Sequence, residues 1–129
     1  MPIVRIEDCT IRSPSEKQVL VEIIYSSLRG VLGVSNDELQ ARYQHIALGD
    51  AYTPGGRATY LQITITLFKG RTYATKCALY ADIITGLQRG LAVDPESVLI
   101  LLDEHNPENW GMSGGIPACD LDFGYQIDV

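Results

Sequence analysis

RSPSEKQVLVEIIYSSLRGVLGVSND at residues 12–37 and RTYATKCALYADIITGLQRGLAVDPE at residues 71–96 are two versions of one segment. Leu20 falls opposite Leu79. The same 59-residue offset (79 − 20) sets Arg12 opposite Arg71, Ser13 opposite Thr72, Lys17 opposite Lys76 and Asp37 opposite Glu96, with no gap. It also pairs Ile24 with Ile83, Leu28 with Leu87, Leu32 with Leu91 and Val34 with Val93. In each copy the apolar residues recur every three or four positions, the spacing of an amphipathic helix. Ser13-Pro14-Ser15-Glu16 is a capping box with proline at the first helical position. Gly30 and Gly33 weaken the end of this helix. The second helix starts near Thr72 and has Gly90 near its end. Apolar matches alone are common, but a gapless register that also aligns caps and charges indicates an internal duplication.

Strands flank both helices. Pro2 to Glu7 precedes the first. Leu61 to Phe68 precedes the second and alternates apolar with polar residues. After the helices come strands at roughly Ala41 to Leu48 and Ser97 to Glu104. Val98-Leu99-Ile100-Leu101-Leu102 is apolar at every position, which predicts a strand buried on both sides. The expected fold class is α+β: duplicated β-α-β units forming a four-stranded mixed sheet with two helices on one face. The other face is left bare, and a second subunit is the simplest cover. The chain reads as one domain over residues 1–129, with halves of about 1–58 and 59–105 and an extension at 106–129. Gly49 to Ala58 and the extension fall outside the repeat.

With 129 residues the chain can bury a core without staples. A net charge of −6 argues against broad nucleic-acid binding and requires any anion site to be a local cluster of cations. No apolar run approaches the ~18 residues of a membrane span. Met1-Pro2-Ile3-Val4-Arg5 lacks the charged and apolar regions of a signal peptide. Cys9, Cys77 and Cys119 are odd in number and widely spaced. The expectation is a cytoplasmic protein with free thiols. His45 and His105 lie far apart, and no acidic or cysteine cluster has metal-ligand spacing, so neither a metal nor another cofactor is expected.

A few residues carry possible chemistry. Removal of Met1 would leave Pro2 as a secondary amine at the start of a strand. An α-amino group titrates near ~7.7–8, and burial or nearby cations lower that, giving a neutral base at physiological pH. If Met1 is retained, Pro2 is an amide nitrogen without basicity. Lys69-Gly70-Arg71 lies between a strand and a helix, where cations suit a carboxylate or carbonyl oxygen; the plain alternative is a solvated turn. Arg is the bidentate clamp and Lys a point charge. Arg57 is a second, weaker loop cation. Trp110, the only tryptophan, is either a packing anchor or a pocket wall.

Together these features resemble the tautomerase superfamily. The resemblance rests on Pro2-Ile3-Val4-Arg5-Ile6, Arg42-Tyr43-Gln44-His45, Gly70-Arg71-Thr72 with Lys76, and Asn109-Trp110 with the glycines that follow. It implies β-α-β units, a catalytic amino-terminal proline and a compact oligomer. Two fused units in a chain of this length resemble the trimeric malonate semialdehyde decarboxylase group. Pro2 matches the family's catalytic proline, and Arg71 the second of two substrate-binding arginines. Lys69 stands where the first should be. The acidic residue that directly precedes Arg-Tyr-Gln in the decarboxylase is replaced by Ala41, with Asp37 and Glu38 nearby. Gly111-Met112-Ser113 stands where the family often has Ser-Phe-Gly, so a thioether replaces an aromatic wall.

The leading expectation is an enzyme in which Pro2 moves a proton on a small 2-oxo or 3-oxo carboxylic acid, in its minimal form a keto–enol tautomerase. Pro2 and Arg71 are its catalytic residues; Lys69, Arg57, Trp110 and Met112 bind substrate. The first alternative is a decarboxylase or hydratase of the malonate semialdehyde type. The second is a non-enzymatic ferredoxin-like binding module, which strand order distinguishes.

Overall fold

The computed structural model describes residues 1–126 and 129. Strand β1 (Ile3–Asp8) leads to helix α1 (Pro14–Ser27) and strand β2 (Gln40–His45); β3 (Leu61–Phe68) leads to α2 (Tyr73–Leu91) and β4 (Val98–His105). The sheet order is β2-β1-β3-β4. β1 runs parallel to β2 and β3 parallel to β4, while the central β1–β3 pair is antiparallel, with Ile3 opposite Thr66 and Asp8 opposite Leu61. The parallel strands of each β-α-β unit are therefore direct neighbours. A ferredoxin-like fold splits them with an intervening strand, so that topology is excluded.

The repeat is visible in the element boundaries. Helices begin at Pro14 and Tyr73, and short 3-10 turns recur at Asn36–Glu38 and Pro95–Ser97. A further pair, Leu48–Asp50 and Pro107–Asn109, carries the same spacing past residue 105, into stretches that read as outside the repeat. Ser13 caps α1 through a full capping box, and the Thr72 side chain caps α2 by accepting from the Thr75 N–H. After α1 the chain makes a π turn (Leu28–Leu32) that stops at Gly33, φ 74°. α2 stops at Ala92, φ 53°, the same left-handed conformation at the counterpart position but with a side chain.

The core lies between the sheet and the helices. Val4, Ile6, Ile63 and Ile65 face Leu20, Ile24, Leu28, Leu79, Ile83 and Leu87, all buried. Each such side chain contributes about 1.5–3 kcal/mol relative to exposure. The helices touch closely at Ile23: a Cβ on Gly86 would stand 2.7 Å from Ile23 Cγ2, and one on Gly90 2.8 Å from its Cδ1. Gly90, near the end of α2 as expected, thus also serves helix packing. β4 departs from expectation, because it is an edge strand and Leu99 and Leu101 are 45% and 50% exposed. Among the described residues only the loop after β2 borders that face, beside Leu99, and the alternate residues of the apolar run are the ones packed inward. Among the described residues, no helix is long and apolar enough to cross a membrane. Cys9, Cys77 and Cys119 are unbridged.

Candidate active site

The antiparallel register that sets Ile3 opposite Thr66 carries the chain start toward the end of β3 and the turn after it. Pro2 is buried there. The Met1 amine lies 3.6 Å from Glu38 Oε2 and donates to the Tyr125 hydroxyl at 3.4 Å. That hydroxyl donates to Glu38 Oε2 at 2.7 Å. Glu38 arrives on the 3-10 turn before β2, where the Ser35 hydroxyl donates to its other oxygen at 3.1 Å.

The pKa of the amine is lowered from 8.0 to about 6, chiefly by burial; Glu38 opposes that shift and Arg71 adds to it. An amine so placed is largely neutral at pH 7 and can accept a proton. Burial and the hydrogen bond to Glu38 raise the pKa of the Tyr125 phenol, so it stays a donor.

Arg71 supplies the cation. β3 ends at Phe68, and the turn passes through Gly70 at φ 138°, a backbone conformation that suits only glycine. The Arg71 side chain is buried, and its Nη1 donates to the Phe68 carbonyl at 3.2 Å. Its Nε has no partner among the described residues. Burial pulls the guanidinium pKa down against Tyr125, Glu104 and Glu38, but an arginine remains charged. Glu104, on β4, is held at 2.6 Å by Lys76 of α2 and keeps its second oxygen buried and, among the described residues, unpartnered. The Trp110 indole meets Phe68 edge-on at 5.0 Å, and its buried Nε1 is also unpartnered. Phe123 packs on the other side of Phe68, at 5.3 Å.

Pro2, Arg71 and Trp110 are therefore brought to one end of the sheet. Lys69 lies on the exposed turn beside them. Met112 follows in a tight turn closed by its bonds to Ile116 and Gly115. Arg57 is elsewhere: it donates to Ser97 at 3.0 Å and faces Asp94 at 3.5 Å, beside a cleft of about 300 Å³ at the opposite end of the sheet. That cleft holds Arg12, the counterpart of Arg71, whose Nε is bound to the buried Asp8 carboxylate at 2.5 Å. Within one chain, Arg57 and Pro2 do not share a site. Glu38, Glu104, Phe123 and Tyr125 were not among the residues expected to bind or react. Glu38 had a weak signal, as an acid near the Ala41 position; the others had none.

A sheet of two β-α-β units with a buried amine set against an arginine and a carboxylate defines a chain of the tautomerase type. The family described as tautomerase enzyme matches residues 40–113, more than half of the chain, and the chain belongs to that family. The matched stretch contains Arg71, Glu104 and Trp110 but not Pro2, Glu38 or Tyr125. Pt0534 inactivated by 2-oxo-3-pentynoate superposes with a TM-score of 0.84 at 21% identity, over 93% of this chain and 99% of that one. A fused wild-type 4-OT, a symmetric trimer, gives 0.83 at 19% identity, over 91% and 96%. FG41 malonate semialdehyde decarboxylase inhibited by 3-bromopropiolate gives 0.76 at 21% identity, over 84% and 86%. At these identities the likeness is one of fold. No curated protein sequence matches the chain.

Proposed function

We propose that the chain is an enzyme in which the Pro2 amine, freed by removal of Met1, moves a proton on a small 2-oxo carboxylic acid. The observation that carries this reading is the buried amino terminus seated against Arg71 and Glu38 in a tautomerase-family fold. In the unprocessed chain Met1 fills the space beside Glu38, Tyr125 and Arg71. Its excision would clear that space for a substrate and turn the buried Pro2 nitrogen into a base facing it. Neutral Pro2 would take a proton from the carbon next to the carbonyl. Arg71 would bind the carboxylate and stabilise the developing enolate oxygen, with Lys69 adding charge from the rim. Trp110, Phe68 and Met112 would form the apolar wall that limits water. Keto–enol tautomerisation of a phenylpyruvate-like acid is the minimal reaction. Intact mass establishes whether Met1 is removed. In the processed protein, Pro2→Ala should abolish enolisation with the circular dichroism spectrum unchanged; undiminished turnover would refute the role of Pro2.

A decarboxylase or hydratase acting on a three-carbon 3-oxo acid is a second reading, and Glu38 favours it. A carboxylate stands beside the amine although Ala41 occupies the place where the decarboxylase has its acid. There Pro2 would act as a cation. A base gains activity as pH rises through its pKa and an acid loses it, so the pH–rate profile separates the two. Exposed Leu99 and Leu101 on the bare face support a homotrimer, the state named for the fused 4-OT relative, and light scattering tests it. The three free cysteines support a cytoplasmic setting.

A further inference from the structure

The Met1 amine is a hydrogen-bond donor held between two oxygens, 3.6 Å from Glu38 Oε2 and 3.4 Å from the Tyr125 hydroxyl. Other contacts fix both of these acceptors. Tyr125 donates to Glu38 Oε2 at 2.7 Å, and the Ser35 hydroxyl donates to Oε1 at 3.1 Å. Phe123 packs on the Tyr125 ring at 6.0 Å. Pro2 is fixed as well: it is buried, and Ile3 pairs with Gln40 on one side and Thr66 on the other. Loss of Met1 would therefore remove the donor and leave its two acceptors and Pro2 in place. Nitrogens of successive residues lie roughly 3–3.5 Å apart, so the acceptors face a point that close to the Pro2 nitrogen. A base meets a reacting carbon at the same separation.

We propose that Glu38 and Tyr125 select a substrate that carries a hydrogen-bond donor on the carbon that gives its proton to Pro2: a 3-hydroxy-2-oxo carboxylic acid. With the reacting carbon, C3, at Pro2, a hydroxyl on that carbon takes the place of the Met1 amine and donates to Glu38. The Glu38 side chain is only 11% exposed, so a substrate without that donor strips water from a charged group and returns no bond. A second carboxylate on C3, as in oxaloacetate, would stand against Glu38 with like charge. An apolar group there, such as the ring of phenylpyruvate, gains nothing from these two oxygens. The chemical step is the one already proposed: the C3–H bond breaks, the proton goes to Pro2 and the electron pair to the C2 oxygen. The inference rests on the proposed function for the roles of Pro2 and Arg71 and adds which 2-oxo acid the site prefers.

The test uses protein whose intact mass shows Met1 removed, with pyruvate, 3-hydroxypyruvate and oxaloacetate as probes. Calorimetry reads binding, and NMR reads exchange of the C3 hydrogens in deuterium oxide. 3-Hydroxypyruvate should bind roughly tenfold or more tighter than pyruvate, the scale of one hydrogen bond to a charged group, and oxaloacetate should bind more weakly than pyruvate. In Glu38→Gln the advantage of 3-hydroxypyruvate should shrink about three- to tenfold and the handicap of oxaloacetate should fall with it. The ratio of kcat/KM for 3-hydroxypyruvate and pyruvate exchange should drop by the same factor. That ratio cancels any change in the basicity of Pro2, and its comparison with the parent protein cancels the intrinsic acidity of each substrate. Equal affinities in the parent protein overturn the inference whether or not the variant folds. So does an advantage of 3-hydroxypyruvate that survives Glu38→Gln undiminished. Binding with the expected preference but without C3 exchange refutes the proposed function and leaves selection by Glu38 standing; no binding of any of the three overturns both.

Discussion

Glu38→Gln should make the amino terminus a weaker base. The Met1 amine, with a pKa lowered to about 6, is 3.6 Å from Glu38 Oε2, and Glu38 is the group that resists the lowering by burial and Arg71. Two unit charges at that distance attract by about 1 kcal/mol in water and about 4–5 kcal/mol at an effective dielectric of 20. The amine side is 24% exposed and the carboxylate 11%, so solvent screens the pair and the lower end applies. A loss of about 1–2 kcal/mol weakens proton binding by roughly five- to thirtyfold. Glutamine keeps an oxygen to accept from Tyr125, so the turn should hold. The assay is a pH titration of the ¹⁵N-labelled amino terminus by NMR. The midpoint should move down; a midpoint that stays or rises would refute the electrostatic account. The sign carries into folding. The folded amine binds protons less well than the unfolded one, so its contribution falls as pH drops from about 8 through about 6. Glu38→Gln extends that loss to lower pH.

Arg71→Lys keeps a cation but removes the bidentate fork, and kcat/KM for a 2-oxo acid should fall by about 10²–10³ with little change in the amine's titration. Ala92→Gly should stabilise the fold by about 0.5–1 kcal/mol in urea unfolding, because Ala92 holds at φ 53° the place where its counterpart Gly33 holds φ 74°. Gly86→Ala should destabilise despite gaining about 1 kcal/mol of helix propensity, since the new Cβ meets Ile23 Cγ2 at 2.7 Å; Ile23→Ala in the same chain should remove the penalty. Leu101→Glu should leave the monomer core intact and shift light-scattering mass downward if the bare face is an interface between copies.

Much of the fold was legible because local signals agreed with one another. Leu61 to Phe68 alternates and forms β3 with those bounds, and Ser13 and Thr72 cap the helices they precede. The strands after the helices were placed within a few residues, since strand ends there are set by pairing rather than by pattern. The run Val98 to Leu102 misled because an unbroken apolar run does not show which of its faces the chain's own core takes up. Pro2 stood out as a latent amine at the start of a strand, and Arg71 as a cation in the turn before the second helix. Glu38 was obscured because family spacing directs attention to Ala41. A 3-10 turn lets a residue three positions earlier reach the amine instead. Tyr125 lies beyond the repeat in a stretch without periodicity. Its position follows from packing on Phe123, which in turn packs on Phe68, a tertiary fact with no local signature.

The 59-residue register also explains why one chain has one such site. Each half places an arginine before its helix, and each arginine faces into the protein beside a tyrosine. The difference begins at a single position of the strand. Asp8, at the end of β1, carries the buried carboxylate that closes on Arg12, and its counterpart in β3 is the core residue Leu67. With leucine there, no carboxylate within its own half's strand can neutralise Arg71. Among the described residues, the acids that act on it come from other elements, Glu38 from the first half and Glu104 from β4, and each is bonded to another partner. The cleft around Arg12 has the reverse combination: a closed arginine, and beside it, at the position matching Pro2, the second half's Leu61, an in-chain residue whose nitrogen is an amide. A duplicated scaffold thus yields a single amine–arginine site. The tail that lies outside the duplication contributes Tyr125, whose hydroxyl joins the amino terminus to Glu38.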